Sequence, residues 1–321
     1  MSEQKAGPGP GTRAILRLPE AFARRLSDFF SGERPAVDPR DAASVLLLRA
    51  ASGALPELRP ASGALPELRP PAVNRPGLPD LPDLPGIEVY LIRRAQSMAF
   101  APGASAFPGG SVDPRDAEGD IAWAGPDAAE WGQLLDAPAG LARALVCAAV
   151  RETFEESGVL LAGPTAGSLV ADTSGPDWEA DRAAVAHHSL SLAQLLSRRG
   201  LVLRSDLLRP WARWITPLPE PRRYDTRFFA AALPPGQRTR HVGGEADEVA
   251  WLRPAAVIRA AREGELRLMP PTAACLAGLL PCGQVSDALR AQRDLRPVTP
   301  VIYPAEGAFW LAVPSALEYP L

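Results

Sequence analysis

The stretch from Ala139 to Ser157 constrains this chain more than any other. Leu141, Leu145, Ala148, Ala149 and Phe154 keep a helical stripe through it, and Gly158 stands where a helix needs a left-handed residue to stop. An apolar stripe of that length needs a surface to bury it, and short apolar runs elsewhere in the chain supply one. Ser44-Val-Leu-Leu-Leu48 and Ile87-Glu-Val-Tyr-Leu-Ile92 predict buried strands, as do Asp225 to Ala231 and Glu248 to Leu252. Pro254 to Arg262 and Pro271 to Leu280 predict further helices. Strands mixed with helices on this scale imply a layered α/β architecture, and 321 residues suffice for one elaborated domain with appendages.

Two ten-residue blocks, Ala51 to Pro60 and Ala61 to Pro70, are identical, and a proline-rich run from Gly77 to Pro85 follows them. A copy inserted without disturbing a periodic pattern belongs in a solvated loop, where doubling the length costs only about 0.6 kcal/mol. Residues 50–85 are therefore read as a disordered connector between neighbouring strands of one sheet. Ahead of it, Pro19 to Ser31 carries Ala23, Leu26, Phe29 and Phe30 at helical spacing, with Gly32 as the stop. The chain divides on this reading into a tail with a short helix at 1–40, a main domain at 41–285 and an extension at 286–321. Within the extension, the prolines and the run Phe309 to Val313 predict extended structure, packed on the domain or at a contact between two copies.

Composition narrows the function. A net charge of -3 provides no positive field for a nucleic-acid backbone, so a polymeric substrate is not expected. No apolar run reaches the length of about eighteen residues that a membrane span needs, and Met1 to Gly11 is polar and rich in glycine and proline. This reads as a cytoplasmic protein without a membrane partner. Cys147, Cys275 and Cys282 form neither a disulfide framework nor a metal-ligand spacing, and His187, His188 and His241 join no pattern with them.

The chemistry lies at the end of the long helix, in Arg151-Glu152-Thr-Phe-Glu155-Glu156-Ser-Gly158-Val159. Residues three and four apart are about 5–6 Å from one another on a helix, so Glu152, Glu155 and Glu156 share one side. Like charges that close repel unless a divalent cation sits among them, and magnesium takes hard carboxylate ligands while keeping several waters. The same string also suits a solvated acidic helix end, in which Arg151 and Glu155 form an ordinary i,i+4 pair. Upstream, the turn Phe107-Pro108-Gly109-Gly110 lets backbone approach a cation or a phosphate closely, as glycine permits. Taken alone it is equally a plain turn leading into an acidic, proline-bearing loop that runs to Pro138.

Together the turn and the helix resemble the Nudix box: Gly, five residues, Glu, seven residues, then Arg-Glu-U-x-Glu-Glu-x-Gly-U, with U aliphatic. Gly110 is followed after five residues by Asp116, an acidic stand-in for the Glu, and Arg151 to Val159 matches the helical half with Thr153 in the first aliphatic slot. Between Asp116 and Arg151 lie 34 residues where the pattern has seven, so the box is split by an insertion at 117–141. A split of this kind resembles the branch of the family that includes animal coenzyme A diphosphatases, and so do the strings Arg93 to Gly110, Arg223 to Phe229 and Pro270 to Thr272. Coenzyme A-cleaving members carry two arginines upstream of the Phe-Pro-Gly-Gly; Arg94 matches the first, and Ala99 occupies the second.

The resemblance implies an α/β/α sandwich around a mixed β-sheet, and an enzyme that uses water to cut a diphosphate linkage in a small nucleotide-like substrate. It implies magnesium, with manganese as a substitute, held by Glu152, Glu155 and Glu156 and a backbone carbonyl of Gly109 or Gly110. Glu245, in the glycine-bearing loop before Glu248, completes the ligands or acts as base beside Glu152 and Glu155. Arg94, Arg223, Arg227 and Gly109 meet the substrate, whereas Arg151 and Gly158 are structural. Three readings stay open: a coenzyme A or acyl-coenzyme A diphosphatase releasing 3',5'-ADP; an enzyme acting on ADP-ribose, a dinucleotide or another nucleoside diphosphate derivative; and a ligand sensor without catalysis. The carboxylate trio speaks against the sensor, since a pure binder has little reason to gather three like charges.

Overall fold

In the computed structural model, which describes residues 11–51, 86–95, 101, 103–241, 246–317 and 319–321, the chain begins with strand β1 (Thr12–Arg17) and helix α1 (Ala23–Phe30). It enters the main sheet through β2 (Arg40–Ala50) and β3 (Ile87–Arg94), and the short strands β4 (Ser105–Ala106) and β5 (Gly109–Ser111) flank the glycine turn. Next come β6 (Trp123–Ala124), α2 (Ala128–Leu135), α3 (Ala139–Ser157), β7 (Ala162–Gly163), α4 (Pro176–Ala186), α5 (Leu192–Arg199) and β8 (Val202–Arg204). The main sheet resumes with β9 (Arg209–Ile215), β10 (Tyr224–Ala232) and β11 (Ala246–Leu252). Helices α6 (Pro254–Glu263), α7 (Pro270–Leu279) and α8 (Val285–Arg290) and a hairpin of β12 (Val301–Ala305) and β13 (Ala308–Pro314) complete the chain.

The central sheet is ordered β11-β3-β2-β10-β9, with β4 alongside β3 and β5 alongside β2. β2 and β10 run parallel and the other pairs antiparallel, so the sheet is mixed. Successive residues of a strand point to opposite faces, and both faces here are covered. Val45, Leu47, Tyr90, Ile92 and Phe229 pack with residues of α2, α3 and α5, whereas Leu46, Leu48, Val89, Leu91 and Phe228 pack with α6, α7 and α8. The expected α/β/α sandwich is the observed one.

β2 and β3 are neighbours, as the connector reading requires, with Leu48 opposite Val89 and Ala50 opposite Ile87. The Ala51 amide donates to Gly86 O at 2.9 Å, so the two ends of the connector are held one hydrogen bond apart whatever the length between them. The rest of the predicted disordered stretch, 52–85, lies outside the described residues.

Two expectations need correction. Residues 117–141 are not loop throughout: β6 joins a small sheet with β7 and β8, and α2 begins at a reciprocal cap. The Asp127 carboxylate accepts from the amides of Ala129 and Glu130 at 2.8 Å, and Glu130 accepts from the Asp127 amide at 2.8 Å. Through Trp131 and Leu135, α2 covers α3, so α3 is buried nearly all round rather than along a stripe. Small residues at Ala142, Ala144, Ala148 and Ala149 let the neighbouring layers close on it. The second correction concerns the ends. Tail and extension form one unit, because β1 pairs with β13, β13 with β12, and Leu26 of α1 packs on Ile302 and Leu311. The extension also lies along the edge of β9, where the Ile215 amide donates to Val298 O and the Val298 amide to Arg213 O, each at 2.9 Å.

Among the described residues no single helix is long and apolar enough to cross a membrane; α2 and α3 reach that measure only as a pair bent by 89°.

Candidate active site

Gly158 ends α3 in the left-handed conformation, φ 75°, and a Cβ there would lie 2.3 Å from Nη1 of Arg240. Arg240 therefore packs against bare backbone, and its amide donates to Ser157 O at 3.1 Å. From α4, Arg182 donates to the Glu155 carbonyl at 2.8 Å. Two guanidiniums thus stand where a helix leaves carbonyls unpaired and the negative end of its dipole exposed. Glu179 braces both, accepting from Arg182 at 2.6 Å and from Arg240 at 3.1 Å.

On this fixed last turn the acidic side chains gather at Arg151. Its Nη1 donates to Glu152 Oε1 at 2.8 Å and to Glu155 Oε1 at 3.0 Å, while Nε and Nη2 hold Asp116 at 2.9 and 3.0 Å. Nη2 also reaches Ser111 O at 3.0 Å, which ties the helix to the end of β5. Arg151 and Asp116 keep only 5% and 2% of their side-chain surface exposed, so this is an interior pair. Glu156 accepts from the Gly109 amide at 2.7 Å. The turn is pressed onto the helix: a Cβ at Gly110 would lie 2.3 Å from Glu152 Oε1, and one at Gly109 would lie 2.5 Å from Ala43 O. Only glycine fits at Gly109, where the clash is with backbone, and a side chain at Gly110 would displace the Glu152 carboxylate.

Asp116, Glu152, Glu155 and Glu156 thus meet one buried guanidinium and one glycine turn, and negative charge is in excess. Burial pushes Glu152 up to about 7 in spite of Arg151, and the Glu155 charge adds to the rise. Glu155 is raised by burial in the same way, again against the pull of Arg151. Among the described residues no three Asp, Glu, His or Cys side chains already converge as an ion cage, because Arg151 takes the Glu152 and Glu155 oxygens nearest to it. The donor set nevertheless suits a hard divalent cation: every side-chain donor is a carboxylate oxygen, the charge excess is negative, and the space a side chain would fill at Gly110 belongs to Glu152.

Other residues singled out in the sequence fall in different places. Glu245 and Ala99 lie outside the described residues. Arg94 ends β3 half-buried, its amide donating to Ala104 O at 3.0 Å in the segment that leads into the glycine turn. Arg223 and Arg227 are engaged with other groups. Arg223 is buried and donates to Thr216 O at 2.9 Å and Val37 O at 2.7 Å. Arg227, also buried, pairs with Asp41 at 2.8 Å and with Asp225 at 3.0 Å. Turning Arg227 toward a phosphate would leave the buried Asp225 carboxylate short of a partner, and Arg223 is already spent on two backbone carbonyls, so neither is carried into the functional reading. Arg115, Arg182 and Arg240 went unremarked in the sequence, since each reaches the site from another element and no local pattern marks it.

The NUDT19 Nudix domain family matches residues 126–278. The acyl-coenzyme A diphosphatase NUDT19 of Gallus gallus is 29% identical over 238 residues, a match covering 57% of this chain and 58% of that protein. The acyl-coenzyme A diphosphatase NUDT19 of Homo sapiens is 28% identical over 187 residues, covering 47% of this chain and 49% of that protein. The chain spans about half the length of these curated relatives. Among solved structures, a NUDIX hydrolase from Alicyclobacillus acidocaldarius superposes with a TM-score of 0.59 at 28% identity, covering 80% of this chain and 98% of the other. The arginine, glutamates and closing glycine of the box on α3, with the turn glycines packed against them, agree with these matches, which support the Nudix superfamily and, within it, the NUDT19-like branch.

Proposed function

We propose that this chain hydrolyses the diphosphate linkage of a small nucleotide-containing molecule with the help of a divalent cation. In this reading the substrate is coenzyme A or an acyl-coenzyme A, and the products are 3',5'-ADP and phosphopantetheine or its acyl form. The observation that carries the proposal is the crowding of Glu152, Glu155 and Glu156 against a glycine turn, with the Arg151 guanidinium shared between Glu152, Glu155 and Asp116. The relatives support the choice of substrate, being acyl-coenzyme A diphosphatases by name. Ala99, in the slot where coenzyme A-cleaving members carry a second arginine, favours the other reading, an ADP-ribose or dinucleotide substrate.

Nudix hydrolases generally use divalent metals, and magnesium, or manganese in its place, fits these oxygen donors. Glu152, Glu155 and Glu156 would hold the cation with a backbone carbonyl of Gly109 or Gly110. When bound, it neutralises phosphate charge and makes water a stronger nucleophile. Arg151 holds the Glu152 and Glu155 carboxylates side by side through one Nη1, and the Gly109 amide sets Glu156. Glu155 accepts the proton that the attacking water gives up, with Glu245 as the further carboxylate expected from the loop before β11. Arg94 orients the diphosphate by offering two N–H groups to one phosphate.

A panel of coenzyme A, acetyl-coenzyme A, ADP-ribose and a diadenosine polyphosphate, incubated with the protein and magnesium, tests the proposal. Phosphate released after phosphatase treatment reports turnover, and mass spectrometry identifies the products. The expected result is 3',5'-ADP from the coenzyme A compounds. Faster cleavage of ADP-ribose would replace the substrate, and no turnover on any diphosphate would remove the enzyme reading.

A further inference from the structure

The last turn of α3 closes when the Gly158 amide donates to Phe154 O at 2.9 Å. The Val159 amide, which would donate to Glu155 O if the helix ran on, turns to Ser157 Oγ at 3.2 Å instead. Glu155 O thus has no backbone donor among the described residues, and Arg182 Nη1 supplies one at 2.8 Å. That oxygen belongs to the peptide unit between Glu155 and Glu156. A peptide unit is planar, so holding its oxygen restricts ψ of Glu155 and φ of Glu156 together, and with them the directions in which both side chains leave the backbone. The two carboxylates are met in turn by Arg151 Nη1, 3.0 Å from Glu155 Oε1, and by the Gly109 amide, 2.7 Å from Glu156 Oε2. Arg182 is itself held firmly. It is buried, and Glu179, one turn earlier in α4, accepts from its Nε at 3.0 Å and its Nη2 at 2.6 Å, which leaves Nη1 for Glu155 O. α4 is seated on α3 by Trp178, edge-on to Phe154 with ring centroids 6.2 Å apart.

We propose that Arg182 is a positioning residue: through the Glu155 carbonyl it fixes the peptide between Glu155 and Glu156, so that both carboxylates are presented to one divalent cation together. This inference rests on the function proposed above. The choice of acceptor is the useful property here. A guanidinium that reached the glutamate side chains would compete with the cation for their oxygens, whereas one that binds the main chain sets the same two residues and leaves those oxygens to the cation.

The test uses two variants of this residue. Arg182→Met keeps the aliphatic stem and removes the donor, whereas Arg182→Lys keeps a charged donor for the carbonyl and gives up the fork to Glu179. Electron paramagnetic resonance of free manganese gives the Kd for the ion without any turnover, steady-state kinetics on the substrate found above give kcat and KM, and thermal melts in chelator give Tm. The expected result for Arg182→Met is a kcat about tenfold lower and a manganese Kd about tenfold higher, with KM within about twofold, as a small displacement of the reacting groups would give. Arg182→Lys should recover most of both losses. A lower Tm with parental kcat and Kd in the folded protein would make Arg182 a brace of the fold only and overturn the proposal, as would an Arg182→Met protein like the parent in every respect. Should Arg182→Met not fold, Glu179→Gln decides: that side chain is 45% exposed, and loosening the fork there should lower kcat and raise the Kd about threefold, no change in either being the overturning result. A parent that binds manganese and hydrolyses no diphosphate would remove the enzyme reading while leaving the Kd comparison to decide on Arg182. A parent that does neither would overturn both.

Discussion

The arginine–carboxylate clusters around Arg151 and around Arg213 and Arg227 differ in how their charges add up. At Arg151 one buried guanidinium meets Asp116, Glu152 and Glu155, with Glu156 beside it on the glycine turn. At the other, Arg213 donates to Asp225 at 3.0 and 2.7 Å, and Arg227 lies 2.8 Å from Asp41 and 3.0 Å from Asp225. Two cations there face two anions, and a further acid, Asp136, stands 3.7 Å from Arg213 with its side chain 95% exposed. The balanced cluster joins β2, β9 and β10 and needs nothing from solution. The unbalanced one leaves negative charge in the interior, which is costly unless a cation arrives. Buried ion pairs in themselves do not mark a functional site; the uncompensated remainder is what the proposed site rests on.

The largest effect expected from this difference is on catalysis. Glu156→Gln keeps the shape of the side chain and removes one charge from the unbalanced cluster. It should lower kcat on the order of a thousandfold while leaving Tm near that of the parent, as for removal of a group needed only in the transition state. Undiminished turnover would mean that the excess charge has no catalytic use. In the balanced cluster the same kind of change should act on folding instead. Asp225→Asn leaves Arg213 without its bidentate partner and the buried Arg227 with Asp41 alone, and should cost about 3 kcal/mol in urea unfolding, with kcat of the folded protein nearly unchanged. A loss of activity without a loss of stability would return Arg227 to the substrate-binding role that its sequence context suggests.

How much of this was legible depended on how locally each feature is encoded. α3 could be read almost to the residue, because its stripe and its glycine stop lie within one continuous segment, and Glu152, Glu155 and Glu156 followed from i, i+3 and i+4 spacing. The strands β2, β3, β10 and β11 announced themselves as apolar runs. α2 was hidden by acidic and proline-rich surroundings, although Asp127 and Glu130 carry the spacing of a helix cap. The pairing of β1 with β13 was beyond local pattern, since it sets Thr12 opposite Pro314. The same limit applied in the site. Arg240 reaches Gly158 from the segment before β11, and Arg182 reaches Glu155 from α4, 27 residues later in the chain.

The smallest effect expected is a pH dependence of stability that belongs to the unbalanced cluster. A glutamate in an unfolded chain releases its proton near 4.5, whereas Glu152 is pushed up to about 7 in the folded protein, chiefly by burial. Between those values the folded state holds a proton that the unfolded state has released, so folding is favoured at the acid end of the window. Stability of the metal-free protein should therefore fall as pH rises from about 5 to about 7, by at most about 1.4 kcal/mol per pH unit for one such group. Magnesium binds the deprotonated carboxylates, so it should raise Tm more at pH 7 than at pH 5 and flatten the slope. Thermal melts at three pH values, with magnesium and with a chelator, measure both. Glu152→Gln should reduce the slope, leaving the part that belongs to Glu155, and Asp225→Asn should preserve it. A slope undiminished in Glu152→Gln would show that Glu152 is not what the folded protein is balancing against protons.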